Sequence, residues 1–385
     1  MIAVLTWKLH NYGTALQAFA LVKFISNKNK EYGGCKLLNY SLPDRKQLVQ
    51  VEKMKFYDYV LKFSHRFSVF KKNVKNKKYE IYYAKDLSEK KQKFNDIYNL
   101  IPHDQHRVNV SEKTYFNNVY EKIIVGSDQV WNPKYFCETY FLNFVDDNKK
   151  FSYAPSLGVS FLTLEEEKFL RKKLYGHFQK ISIRETIGGN LLRKILPGQK
   201  ITYTIDPTLL FSGTQWSEMF NLKSEQDEKY ILVYTLADNS WYKKAISLIV
   251  NKTKINKVIY LTQDDNLYFY HNENNFIVNA GPIDFLNLLK NAQFVITDSF
   301  HGVCFSINFE KQFVCFSRFK ENNRKHENSR VVDLLNQFNI CEMVYFETPK
   351  VLINHLDYSQ INEKLNALRK KSEEYITEII MEKGN

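Results

Sequence analysis

Phe294-Val295-Ile296-Thr297-Asp298-Ser299-Phe300-His301-Gly302, followed by the apolar run from Val303 to Phe309, decides how this chain is read. The first four residues predict a buried strand, Asp298 and Ser299 a short polar loop, and the run from His301 onward a helix. A helix start exposes backbone N–H groups and the positive end of a dipole. Ser299, His301 and the amides beside them therefore form a place for an anionic group such as phosphate. A histidine there is also placed to move a proton. The same residues also read as an N-cap serine and a packed histidine, and the rest of the chain has to weigh one against the other.

Strand and helix patterns alternate on both sides of that stretch, which predicts parallel sheets with crossover helices. Upstream, strands are expected at Ile2-Ala3-Val4-Leu5-Thr6, Lys36-Leu37-Leu38-Asn39-Tyr40, Lys122-Ile123-Ile124-Val125, Phe151-Ser152-Tyr153-Ala154 and Lys180-Ile181-Ser182-Ile183. Thr202-Tyr203-Thr204-Ile205-Asp206-Pro207 closes a first α/β domain over residues 1–212. Hydrophobic periodicity stops over 213–229, read as a linker, and restarts at Tyr230-Ile231-Leu232-Val233-Tyr234. A second domain, 230–355, has further strands expected at Val258–Leu261, Phe276–Val278, Phe294–Ile296 and Phe313–Phe316. The closing segment, 356–385, carries an amphipathic helix from Ile361 to Met381 that is suited to cross back onto the first domain. The expected fold class is thus α/β, with two Rossmann-like domains facing across a cleft. In open parallel sheets the ligand sits outside the carboxyl ends of the strands, where Ser127, Arg184 and His301 all fall.

The net charge of +13 invites a nucleic-acid reading, but only ten of the 55 basic residues are arginine. Lysine, asparagine, isoleucine and tyrosine abound together, as an AT-rich coding sequence would produce, and no recognised nucleic-acid motif accompanies the charge. The basic excess gathers in a helical region, 46–93, especially Lys71-Lys72-Asn73-Val74-Lys75-Asn76-Lys77-Lys78. It reads as a solvated helical face, or as a dock for anionic lipid headgroups or a lipid-pyrophosphate-linked substrate. Scarce arginine sharpens attention on Arg184, Arg318 and Arg330, whose planar forks suit carboxylate and phosphate. There is no apolar run of about 18 residues, and Lys8 and His10 interrupt the first strand too soon for a signal peptide. The expectation is a cytoplasmic protein, soluble or peripheral at the inner face of the membrane. Five cysteines without a CxxC pair predict neither a disulfide framework nor a structural zinc site.

Six segments occur in order: Asn11-Tyr12-Gly13-Thr14-Ala15-Leu16-Gln17-Ala18, Gly126-Ser127-Asp128-Gln129-Val130-Trp131-Asn132, Ile183-Arg184-Glu185, Asp206-Pro207-Thr208-Leu209-Leu210, Asp298-Ser299-Phe300-His301-Gly302 and Asn328-Ser329-Arg330. Over nearly the whole chain they resemble the polysaccharide pyruvyl transferases, of GT-B-like architecture. The resemblance implies an enzyme that moves an enolpyruvyl unit from phosphoenolpyruvate to a sugar of a surface glycan, or of its lipid-linked precursor, and closes a ketal across two hydroxyls. It also implies that Arg184 is the family arginine of the first domain. The family carries a second arginine two residues before the histidine, where this chain has Ser299. Arg318 and Arg330 are candidates to supply that charge, although Arg330 is equally placed for a helix-end ion pair with Asp333.

The residue types fit such chemistry. Phosphoenolpyruvate carries a carboxylate and a phosphate, so its site calls for cationic forks and helix-start amides rather than a metal or other cofactor. Arg184, Ser299, Arg318 and Arg330 are the donor-side candidates. His301 suits proton transfer near neutrality, and Asp128 is a candidate general base, or else a turn residue capping a helix. On the acceptor side stand Asn11, Tyr12 and Gly13 in a tight turn, with Ser127, Trp131 and Asn132; Trp131 either stacks on a sugar face or anchors its loop. Glu185 is placed to orient Arg184. Two other functions stay open: a glycosyltransferase using a nucleotide-sugar, and a noncatalytic glycan-binding protein. Asp264-Asp265 is the one weak acidic pair for a metal-assisted donor.

Overall fold

Short apolar runs become buried strands when helices cover both faces of a parallel sheet. The computed structural model describes residues 1–40, 72–224, 228–318 and 328–382, and it holds two such sheets. The first is made by β1 (Ile2–Leu5), β2 (Cys35–Asn39), β3 (His103–Arg107), β4 (Lys122–Val125) and β5 (Lys150–Ser152), in the order β3-β2-β1-β4-β5. A parallel pair, β6 (Ile181–Ile183) and β7 (Ile201–Tyr203), continues it through a bridge from Phe151 to Lys180. The second sheet joins β8 (Tyr230–Thr235), β9 (Lys257–Thr262), β10 (Phe294–Thr297), β11 (Gln312–Phe316) and β12 (Tyr345–Phe346), in the order β12-β11-β10-β8-β9. These are two Rossmann-like halves in a GT-B-like arrangement, as expected. Strand order reverses between β1 and β4 in one half and between β8 and β10 in the other, which marks the two ligand crevices.

The helices that matter for the site are α1 (Tyr12–Lys28), α2 (Ala84–Asn99), α3 (Thr186–Ile195), α4 (Gly213–Met219), α5 (Pro282–Asn291), α6 (Phe300–Asn308), α7 (Ser329–Gln337) and α8 (Tyr358–Met381). Asn11 caps α1 by accepting from the Thr14 amide at 3.2 Å. The helix is apolar nearly all round because it lies between the first sheet and the second half. Tyr12 marks that junction: its ring stacks on Phe285 with centroids 4.9 Å apart, and its hydroxyl donates to the Ala280 carbonyl at 2.9 Å. One apolar cluster consequently runs from Val4, Leu16 and Phe19 in the first half to Leu232, Phe285 and Phe305 in the second.

Two further helices tie the halves together. Residues 72–82 are helical and lead into α2; residues 46–71 of the expected basic region lie outside those described. This strap was expected to belong to the first half, yet it bonds mainly to the second. Lys90 meets Asp264 and Lys93 meets Asp284, each at 2.7 Å, while Tyr79 stacks on His271 with centroids 4.1 Å apart. Its other side, Phe94 and Ile97, enters the cluster around α1. The C-terminal helix α8 crosses back as expected. Tyr358 at its start donates to the Lys311 carbonyl in the second half, and near its end Tyr375 donates to the Ser152 carbonyl at 3.0 Å and Lys122 to that of Ile380 at 2.8 Å.

Three expectations need correction. The stretch read as a linker opens with α4, whose Ser212 and Gln215 form a capping box and whose Trp216 is fully buried. Phe276–Val278 is not a strand: the chain bridges only Tyr260 before turning into the cap of α5. β3 was missed because His103-Asp104-Gln105-His106-Arg107 has no apolar alternation; it is a polar edge strand.

Candidate functional site

The carboxyl ends of β4, β6, β7 and β10 and the start of α1 converge at one place. β6 delivers Arg184, which is 3 % exposed. The chain beyond β7 delivers Asp206, and Arg184 Nη1 donates to Asp206 Oδ2 at 2.5 Å. Arg184 Nη2 lies 3.6 Å from Asp128 Oδ1, just beyond β4. From the other half, β10 ends at Asp298 and Ser299 caps α6, its Oγ accepting from the Gly302 amide at 3.3 Å. That cap turns Phe300 onto the Arg184 guanidinium, 4.1 Å from Cζ to ring centroid, and brings His301 Nε2 to 3.6 Å from Asp206 Oδ2. His301 also presses on Gly13, where an added Cβ would fall 2.0 Å from Nδ1, so only glycine fits. The cap itself needs Gly302, since a Cβ there would meet Thr297 Oγ1 at 2.2 Å.

Charge at the site is balanced between basic and acidic groups. Burial alone would raise the Asp206 carboxyl, but His301, Arg184 and a hydrogen bond from Thr208 outweigh it and hold the group far below the usual carboxylate range. Burial opposes the Arg184 charge, while Asp206, Asp128 and Glu185 more than restore it, leaving the guanidinium held more firmly than an ordinary arginine. Despite these contacts, Arg184 Nε and Nη2 and His301 Nε2 have no hydrogen-bond partner among the described residues. Buried donors with spare capacity are uncommon, and three at one point suit a small anion.

Most of the expected residues sit in or beside this cluster. Ser127 donates to the Ala154 carbonyl at 2.8 Å and approaches Asp206 at 3.3 Å. Asp128 Oδ2 accepts from Thr14 Oγ1 at 3.0 Å and Oδ1 from the Gln129 amide at 2.9 Å. Asp206, rather than Asp128, is therefore the carboxylate facing His301. Arg330 stands 5.9 Å from the Phe300 ring and donates to the side-chain carboxamide oxygen of Gln129 at 3.1 and 3.2 Å, while Asp333 accepts from the Thr186 backbone amide at the start of α3. Arg318 Nη2 donates to the Asp298 carbonyl at 3.0 Å and so braces the loop before α6. Asp298 itself accepts from the Leu236 and Ala237 amides at 2.6 and 2.9 Å. Asn11 caps α1 at the edge of the cluster.

Other expectations fail on packing. Trp131 is fully buried, stacked on Phe141, with Nε1 donating to the Tyr140 carbonyl at 3.0 Å; it anchors its loop and offers no face to a sugar. Tyr12 is likewise enclosed, and Asn132 caps the turn at Pro133 from a buried position. Glu185 does not orient Arg184: its Oε1 gathers Ser156 Oγ and the Leu157 and Gly158 amides at 2.7–3.0 Å. Burial raises the Glu185 carboxyl, and Arg184 only partly offsets this. Asp264 and Asp265 face Lys90 and Lys72. Asp206, Thr14 and Phe300 stand in the motif segments of the sequence but were not assigned to the site; the signals for them were those segments and, at Asp206-Pro207, an acid immediately beyond a strand.

No curated protein is significantly similar in sequence to the chain. Among solved structures it is similar to UDP-GlcNAc 2-epimerase from Methanocaldococcus jannaschii in complex with UDP-GlcNAc and UDP, at 10% identity and a TM-score of 0.49, covering 98% of each chain. It is also similar to the wall teichoic acid polymerase TagF, at 11% identity and a TM-score of 0.48, covering 99% of this chain and 88% of that one. The E. coli heptosyltransferase WaaC with ADP gives 9% identity and a TM-score of 0.36, covering 96% of this chain and all of that one. The family profile for polysaccharide pyruvyl transferase matches residues 11–318, which takes in Gly13, Asp128, Arg184, Asp206 and His301. The chain belongs to the polysaccharide pyruvyl transferase family.

Proposed function

We propose that the enzyme takes phosphoenolpyruvate as its donor and forms a pyruvyl ketal on a sugar of a surface polysaccharide or its lipid-linked precursor. The observation that carries this is the meeting of buried donors with spare capacity, Arg184 Nε and Nη2 and His301 Nε2, at a helix start. A donor with a carboxylate and a phosphate on three carbons needs that set. Arg184 and the first amides of α6, capped by Ser299, take the donor's anionic groups, and Arg318 and Arg330 supply positive field in place of the arginine the family carries at position 299.

His301 then gives a proton to the methylene carbon, C2 becomes electrophilic, and a sugar hydroxyl adds to it while Asp128 takes the hydroxyl proton. A second hydroxyl displaces phosphate from C2, and its proton leaves with the phosphate. The products are one ketal, whose methyl group carries one new hydrogen, and inorganic phosphate. Asn11, half-buried at the start of α1, is the acceptor-side residue that stays open, with buried Ser127 and Gly13 behind it.

The test is a reaction in deuterium oxide with phosphoenolpyruvate and a diol-bearing sugar acceptor, followed by mass spectrometry and a phosphate assay. The expected result is phosphate release dependent on acceptor, with one deuterium in each ketal methyl. Tight calorimetric binding of a UDP- or GDP-sugar, with release of nucleoside diphosphate and no response to phosphoenolpyruvate, would overturn the reading in favour of a glycosyltransferase.

A further inference from the structure

The strap formed by residues 72–82 and α2 presents two unlike faces. Helical hydrogen bonds from the Tyr83 amide to Tyr79 and from the Leu87 amide to Tyr83 keep one register across the join. On that register Asn76, Tyr79, Tyr83, Lys90 and Phe94 fall on the inner side, and each contacts the body of the molecule. Val74, Lys78, Ile81 and Lys85, spaced i, i+4, i+7 and i+11, fall on the outer side, flanked by Lys77 and Tyr82.

The outer face is unusual in what it leaves in water. Val74 is 57%, Ile81 72% and Tyr82 76% exposed, and Lys77, Lys78 and Lys85 are exposed among them. Three of the strap's four carboxylates accept from other side chains: Glu80 from Asn76, Glu89 from Asn279 and Asp96 from Gln92. A solvated face would carry mixed charge and few large apolar groups. Lysines interleaved with an exposed isoleucine and tyrosine match the boundary between headgroups and acyl chains, where ammonium groups meet lipid phosphate and apolar groups enter below them.

We propose that this outer face is a docking surface for a bilayer containing anionic lipid. Charge complementarity selects the lipid, and the apolar side chains distinguish a bilayer from other polyanions. No helix among the described residues is long and apolar enough to cross a membrane; the face itself is of the kind that lies in the interface plane.

Sedimentation of the full chain with phosphatidylcholine vesicles, with and without about one third phosphatidylserine, tests it. Binding is expected only with the anionic vesicles and should weaken as salt rises. A Lys77→Gln, Lys78→Gln, Lys85→Gln variant should lose on the order of a hundredfold in partitioning at low salt. An Ile81→Asn, Tyr82→Asn variant should lose the binding that survives at higher salt. Unchanged circular dichroism and phosphate release with a soluble acceptor establish that both variants are intact, and keep this result separate from that of the donor assay. Absence of anionic-vesicle binding, equal pelleting of both variants with wild type, or tight salt-sensitive binding to duplex RNA in its place would overturn the proposal.

Discussion

His301 has one ring nitrogen turned to a buried carboxylate and the other pressed against the backbone of Gly13. A histidine in that setting that transfers a proton should tolerate an uncharged replacement of similar size. His301→Gln is expected to fold and bind donor while turnover falls by about a hundredfold or more, measured by single-turnover kinetics beside calorimetric titration. Wild-type turnover in the folded variant would remove the assignment. Asp206→Asn is expected to be costlier to the fold, by about 3–5 kcal/mol, because it strips the close partner from a buried guanidinium. The pH dependence of that loss has a definite sign. A carboxyl whose folded value is depressed adds stability above the unfolded value, near 4, and gives it up as pH falls toward the folded value. The gap in melting temperature between wild type and Asp206→Asn should hold from pH 5 to 8 and narrow below about pH 4; a gap that closes near pH 6 would contradict the Asp206 pairing. Ser299, His301 and Gly302 were legible in the sequence because a helix start is a local pattern. Asp206 was not, since Arg184, 22 positions before it, and His301, in the other half, meet it only in the folded chain, and no local pattern told Trp131 to face Phe141 rather than solvent.

At the scale of elements, the strap shows how far periodicity carries. Lysines and aromatics at helical spacing announce an amphipathic helix, but a buried face does not say what buries it, and here the second half does. Two lysines on this helix separate a buried tie from a surface one. The Lys90 side chain is 4% exposed, bonded to a half-exposed Asp264 and set over the Tyr12 ring, whereas Lys93 and Asp284 are both more than 40% exposed, so the two ties differ in the burial of the lysine. Lys90→Ala should cost about 1–3 kcal/mol in chemical denaturation, and Lys93→Ala less than about 1 kcal/mol. Equal losses would show that burial does not set the strength of the strap. The strands behave in a similar way: β1, β4, β8 and β10, buried on both faces, were read directly from apolar runs, while β3 at the sheet edge left no such trace.

For the whole molecule, the two sheets suggest two bodies, but the apolar cluster through Tyr12, Phe285 and Phe305 does not stop at the boundary between them. Stability is then a property of the full chain rather than of either half. Scanning calorimetry should give a single transition whose calorimetric and van't Hoff enthalpies agree; two resolved peaks would mean that the halves unfold independently. The same cluster governs how the resting protein breathes. Amides of Leu16 in α1 and Val303 in α6, on opposite sides of His301, should exchange with deuterium at matching slow rates, because freeing either one requires dissolving the packing that protects both.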